Sequence, residues 1–151
     1  MAELTDSQTV FADWTVNWLG DTTWMAAQGI AQVLYGDQDK INVVPLVCVE
    51  PSDKIRQFNG APRRTQVDFE VYVYIYYGGL QDTQISSKKA NEIAEAVEAR
   101  LHTNHNCDGL VISSLVSAVT SGAVNKGGAL IRATRITWTA RSQMMLPYVG
   151  V

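Results

Sequence analysis

Hydrophobic positions in the first third of the chain recur at helical spacing. Val10, Phe11, Trp14 and Trp18 fall on one side of a helix that Asp6 or Ser7 can cap and Gly20 can end. Asp21 caps a second segment in which Ala27, Ile30, Ala31, Val33 and Leu34 keep that period. The pattern therefore predicts helix as far as Tyr35, stopped by Gly36. Trp14, Trp18 and Trp24 are large anchors, either for a sheet beneath these helices or for a neighbouring subunit.

From Ile41 the period shortens to that of strands. Ile41 to Val49 is rich in β-branched residues, and Pro45, which lacks an N–H donor, predicts an edge position or a bulge there. Pro51, Gly60 and Pro62 then predict a long connection, a protruding basic loop over residues 50–65 that carries Lys54, Arg56, Phe58, Arg63 and Arg64. Thr65 to Tyr77 alternates over its whole length. Val67, Phe69, Val71, Val73, Ile75 and Tyr77 point one way, and Gln66, Asp68, Glu70, Tyr72, Tyr74 and Tyr76 the other. A row of three tyrosines is rarely left in water, so that half of the face is expected to be covered by the chain's own helices or by another subunit.

Gly78-Gly79 ends this strand, and Ser86 or Ser87 caps an amphipathic helix from Lys88 to about Thr103. Its buried stripe is Ala90, Ile93, Ala94, Val97 and Leu101, with Glu92, Glu95 and Glu98 toward water. His102 and His105 follow, where a histidine suits the helix dipole. Two more strands are predicted, Leu110 to Thr120 and Ala129 to about Gln143, with a loop at 121–128. In the last strand Arg132 shares a side with Ile136 and Trp138, whereas Arg135 and Arg141 share the other with Thr137 and Thr139. The element order predicts an α+β fold of one domain, residues 1–151. It has N-terminal helices in 1–36, a tail at 144–151 and a mostly antiparallel four-stranded sheet with its helices packed on one face.

Charge adds a second layer. The net charge is −3, too acidic for a nucleic-acid binder with a dedicated basic face. The charges are nonetheless sorted by sign: net −7 over residues 1–53, +4 over 54–64, −4 over 65–108 and +4 over 109–151. Complementary patches on one chain suit a head-to-tail, ring-forming interface, and the basic loop can meet nucleic-acid phosphates or an acidic neighbour.

Candidate chemistry is sparse. Cys48 and Cys107 read as buried thiols or as one disulfide, and with His102 and His105 they make no zinc spacing. Asp68 and Glu70 can be a carboxylate pair, or surface acids that pair across the sheet with Arg132 or Arg135. No phosphate loop, nucleophile elbow or metal-protease helix occurs, so neither an enzyme nor a cofactor is expected. The acidic start, MAELTDSQ, predicts no secretory leader, and no run reaches the roughly 18 apolar residues of a membrane helix.

Helices first, a strand at Val43–Val49, a long loop, the strand Thr65–Tyr77, the helix Lys88–Leu101 and two closing strands: this order resembles the tail terminator (tail completion) proteins of long-tailed bacteriophages. The resemblance spans roughly residues 5–145. It implies a non-enzymatic virion protein, a homo-oligomeric ring and typically a hexamer. Such a ring caps the tail tube at the head-proximal end of the tail, stops tail growth and offers a surface to the head-completion or stopper protein. DNA passes through its lumen, and assembly takes place in the host cytoplasm. Another connector, neck or tail-tube ring protein is the alternative that the same architecture allows. Under either reading the residues expected at subunit or partner contacts are Lys54, Arg56, Phe58, Arg63, Arg64, Asp68, Glu70, Tyr72, Tyr74, Tyr76, Arg132, Arg135 and Arg141.

Overall fold

The computed structural model describes residues 4–58, 64–79 and 85–145. Ser7 caps helix α1 (Gln8–Leu19) by accepting the Val10 N–H, and Asp21 caps the short α2 (Thr22–Gln28). Gly29, in the left-handed region at φ 76°, ends α2 well before Tyr35. The chain then forms strand β1 (Gln32–Tyr35), followed by β2 (Leu46–Phe58), β3 (Arg64–Gly79), helix α3 (Ser87–His102), β4 (Ser113–Lys126) and β5 (Ala129–Met145). The fold is α+β with a mixed sheet of five strands in the order β1-β2-β3-β5-β4. The fifth strand is β1, which runs parallel to β2 where the sequence spacing predicts helix; every other pairing is antiparallel.

Two expected loops turn out to be strand. β2 runs through the basic segment as far as Phe58 and absorbs Pro51 at a register shift between Pro51 and Lys54. Past Val49, β2 has no β1 partner, so the missing proline N–H breaks no ladder bond there. Pro45 precedes β2, and Leu46–Val49 is interior to the sheet rather than at its edge. Likewise most of residues 121–128 belongs to β4. The turn into β5 is made by Gly127 and Gly128, both at positive φ (59° and 84°), a conformation that glycine adopts without strain. Residues 144 and 145 of the expected tail extend β5, and 146–151 lie outside the described residues.

Both long helices pack on one side of the sheet. Phe11 of α1 stacks on Phe69 (centroids 5.6 Å apart) and on Trp138 (6.0 Å). The Trp138 indole N–H donates to the Thr15 hydroxyl at 3.2 Å, so the large polar-tipped side chain is buried with its donor satisfied. The α3 stripe of Ala90, Ile93, Ala94, Val97 and Leu101 is buried as its spacing predicts. The N-terminal tryptophans bind the helices to each other. The Arg100 guanidinium of α3 lies 3.9 Å over the Trp18 ring and donates to the Trp18 carbonyl, and Trp18 Nε1 donates back to the Arg100 carbonyl at 2.8 Å. Trp14 stacks on Trp18 and donates to Asp108 at 2.9 Å. These rings serve packing within the chain.

Candidate interaction surface

The face of the sheet away from the helices holds most of the polar and tyrosine residues singled out from the sequence. Alternation along β3 puts Gln66, Asp68, Glu70, Tyr72, Tyr74 and Tyr76 there. The register with β5 sets Arg141 beside Asp68, Thr139 beside Glu70, Thr137 beside Tyr72 and Arg135 beside Tyr74. β3 is a central strand whose backbone is paired on both sides, so it offers a partner its side-chain face and no free edge.

One end of this face is closed by a strap, the segment 37–45 that joins β1 to β2. Ile41 and Leu34 pack against a second buried cluster of Leu46, Cys48, Tyr76, Ile131 and Ala133. Asp37 is the clamp. Its carboxylate accepts the Tyr76 O–H and the Lys126 ammonium (2.7 Å), and its own N–H donates to Glu50 at 2.7 Å. The strap thereby ties β3 to the end of the β4–β5 hairpin. Burial and the Asp37 carboxylate hold the Tyr76 hydroxyl well above the usual tyrosine range, because an anion there would be desolvated beside a negative charge. Burial first, and Asp37 second, push the Cys48 thiol up to about 11. The third tyrosine of the row is thus covered by the chain itself, through a coil segment and not through a helix.

The other end is bare. Tyr72 and Tyr74 are half-buried and continue the row, with ring centroids 5.9 Å apart and a further 6.0 Å from Tyr74 to Tyr76. The Arg135 guanidinium lies 4.8 Å over the Tyr72 ring. Beyond them a groove of about 350 Å³ runs across β2, β3, β5 and β4, lined among others by Asp53, Ile55, Asp68, Glu70, Leu115 and Arg141. Arg141 Nε meets Asp68 at 3.2 Å, and Glu70 accepts the Ser52 hydroxyl at 3.3 Å. Ile55 and Leu115 are 53% and 57% exposed on the walls.

The remaining expected contact residues are dispersed. The register gives Lys54 and Arg56 to the helix side of β2, opposite Phe69 and Val67. Lys54 Nζ lies 5.8 Å over the Phe69 ring, and Arg56 pairs with Asp6 at 2.8 Å. Phe58, at the end of β2, is 89% exposed, and Arg64 is exposed at the start of β3. Arg63 lies outside the described residues. Arg132 is on the helix side and donates to the Ile85 carbonyl at 3.1 Å, beside a smaller cavity of about 250 Å³. Neither Arg132 nor Arg135 makes the expected pair with Asp68 or Glu70: the register sets Arg135 opposite Tyr74, with its guanidinium over Tyr72, and the partner of Asp68 is Arg141.

Sequence reasoning misses Asp37, Lys126, Ile55 and Leu115. Asp37 sits in Gly36-Asp-Gln-Asp-Lys40, between the expected helix and the expected strand, and the partners of its carboxylate are 39 and 89 residues away. Ile55 lies inside the expected loop. Leu115 is visible only as one apolar residue of a strand whose exposed side requires the register.

Cys48 and Cys107 are both free and buried, so the disulfide alternative does not hold. Burial pushes Cys107 up to about 12, which makes it a poor nucleophile. His102 is the last residue of α3, and its Nε2 accepts the Val116 N–H at 3.0 Å, tying the helix to β4. Among the described residues no three His, Cys, Asp or Glu side chains gather as a metal site, and no helix is long and apolar enough to cross a membrane. The arrangement is equipped to recognise a surface through paired charges, stacked tyrosines and exposed aliphatic residues. Compared with known proteins, the chain matches no family model and no curated protein.

Proposed function

We propose that this chain is a non-enzymatic structural subunit of a phage virion, of the tail-terminator kind. Its copies associate into a ring, with six as the expected number. The ring caps the tail tube at its head-proximal end, ends tube polymerisation and receives the head-completion protein, while DNA passes through its lumen. The observation that carries this reading is the uncovered half of the sheet. One face of a 16-residue central strand is closed by helices, and the opposite face is left with tyrosines, charges and exposed Ile55 and Leu115. An antiparallel sheet can turn a polar face to water, but aliphatic and aromatic residues on that face favour a protein partner. Obligate interfaces of this kind bury more than about 2,000 Å² in total, an area within reach of the long β3 and β5 strands.

Two measurements test the reading. Class averages of the purified protein in negative stain are expected to show a closed ring, and a monomer at all concentrations would overturn self-assembly. Removing the protein from its phage is expected to yield overlong tails without heads. Tails of normal length that fail to join heads would move the subunit to the connector or neck.

A further inference from the structure

The two edges of the sheet are protected very differently. On one side β1 is only four residues long, and the part of β2 beyond it carries Pro51, a register shift and the charges of Asp53, Lys54 and Arg56. The Gln8 side-chain amide also donates there to the carbonyls of Ser52 and Asp53, at 3.1 and 3.0 Å. Short length, proline, irregularity and charge are the devices that keep an exposed edge from pairing with another chain. On the other side β4 is the outermost strand. Its start has a register shift between Val116 and Ala118, and His102 Nε2 takes the Val116 N–H. Beyond that point protection ends. Residues 117–125 hold neither charge nor proline, and all nine are exposed. Among the described residues, no element other than β5 hydrogen-bonds to their main chain.

The order of residues in this stretch identifies the strand that suits it. Alternation puts Val119, Ser121 and Ala123 on the helix side, and Ala118, Thr120, Gly122 and Val124 on the open side. The apolar positions are nearly palindromic about Ser121, the middle of the nine exposed residues. Two copies laid antiparallel about a twofold axis through Ser121, normal to the sheet, keep each face in register. Val119 then meets the partner's Ala123, and Val124 meets the partner's Ala118. On both faces a larger apolar side chain sits against a smaller one, and no charge faces a charge. We infer that β4 pairs edge to edge with β4 of a second copy of this chain, centred on Ser121, so that two five-stranded sheets become one of ten. The pairing gives the outer N–H and C=O groups of both strands their partners and covers Val119 and Val124, which are 45% and 36% exposed in the single chain. The inference rests on the reading of the chain as self-associating. The contact is isologous, so it joins copies in pairs and is distinct from the contact that closes a ring.

Cross-linking tests it in the full-length protein, whose own Cys48 and Cys107 are buried. Ser121→Cys sets two thiols across the axis, with Cα atoms about 4.5–5.5 Å apart, within disulfide reach. Asn125→Cys is equally exposed but lies opposite residue 117 of the partner, so its own mate is about 26 Å away at about 3.3 Å per residue. Under mild oxidation Ser121→Cys is expected to form covalent dimer at least about tenfold faster than Asn125→Cys, because paired thiols meet at about millimolar effective concentration. Ser121→Lys and Ser121→Glu each set like charges directly opposite, so each is expected to self-associate about two- to fivefold more weakly in sedimentation velocity. An equimolar mixture of the two is expected to recover the association, which misfolded variants would not do. Equal cross-linking at the two positions, charged variants that associate as the wild type does, or a mixture that stays dissociated would each overturn the pairing. A ring seen in class averages would then still stand. A wild-type protein that never associates would overturn both.

Discussion

The two faces of the sheet are built from the same strands and closed in different ways. On the helix face, β3 contributes Val67, Phe69, Val71, Val73 and Ile75, all buried beneath α1 and α3, and Trp138 and Phe11 fill the space between layers. On the open face the same strand contributes Asp68, Glu70, Tyr72, Tyr74 and Tyr76, and only the strap end is closed, by one coil segment clamped at Asp37. The difference separates two roles. Non-directional burial of apolar area maintains the fold, whereas directional polar contacts maintain the boundary between the covered and bare parts of the open face. Substitutions on the two faces should therefore differ in size and in what they disturb.

The largest effect belongs to the helix face. Trp138→Ala removes a fully buried ring that stacks on Phe11 and leaves a cavity, which should cost about 3–5 kcal/mol in urea unfolding. A loss as small as that of an exposed residue would mean that the helix layer is not what holds the sheet. Next comes the clamp. Asp37→Ala removes the acceptor of both Tyr76 and Lys126 and should cost about 2 kcal/mol. It should also release the strap over Cys48. A thiol-reactive probe should then label Cys48 faster than in the wild type, with Cys107, which belongs to the helix-face core, unchanged. Equal acceleration at both cysteines would point to general loosening and remove the distinction between strap and core.

What could be read in the sequence divides along the same line. The helix face is written in local periodicity, so the β3 alternation and the α3 stripe are legible residue by residue. Thr134, Ile136, Trp138 and Ala140 of β5 follow the same rule. The period misleads at Val33 and Leu34, which keep helical spacing with Ala27 and Ile30. There a left-handed Gly29 and four ladder pairings to β2 decide in favour of strand. Breakers mislead as well: Pro51 sits in a strand because its side of β2 is unpaired and a register shift absorbs it. The open face depends on register and on contacts 39 and 89 residues apart in the chain, which one-dimensional spacing does not encode. Hence the tyrosines and Arg135 fall where alternation sends them, Arg132 is separated from the acids it was expected to meet, and the groove's aliphatic walls emerge only from the assembled sheet.

At the bare end the expected stability effects shrink. Tyr74 is half-buried and stacks on Tyr72 and Tyr76, so Tyr74→Ala should cost about 1–2 kcal/mol, from lost area and ring contacts. Glu95 is exposed on α3, and Glu95→Ala should stay within about 0.5 kcal/mol. If the open face is also the assembly face, Tyr74→Ala should reduce oligomer size under conditions where Glu95→Ala does not. Equal melting and equal oligomer size in the two variants would remove the tyrosine row from the interface.

A small and pH-dependent effect lies at the edge of the helix face, where Arg56 holds Asp6. The hydrogen bond from Arg56 is the main cause that lowers the Asp6 carboxyl below 3.8, and the guanidinium charge adds to it. A depressed folded-state pKa stabilises the protein above the unfolded value, and that contribution is lost as pH falls through the folded one. Asp6→Asn should therefore be less stable than the wild type at neutral pH, and the two should converge once the pH is below the folded pKa of Asp6. Both side chains are partly exposed, 41% for Arg56 and 32% for Asp6, so solvent screening should keep the neutral-pH difference under about 1 kcal/mol. Added salt should reduce it further. Urea unfolding of both proteins across the acid range reads this directly. A difference that persists unchanged at the acid end would assign the effect of Asp6 to something other than its charge on Arg56.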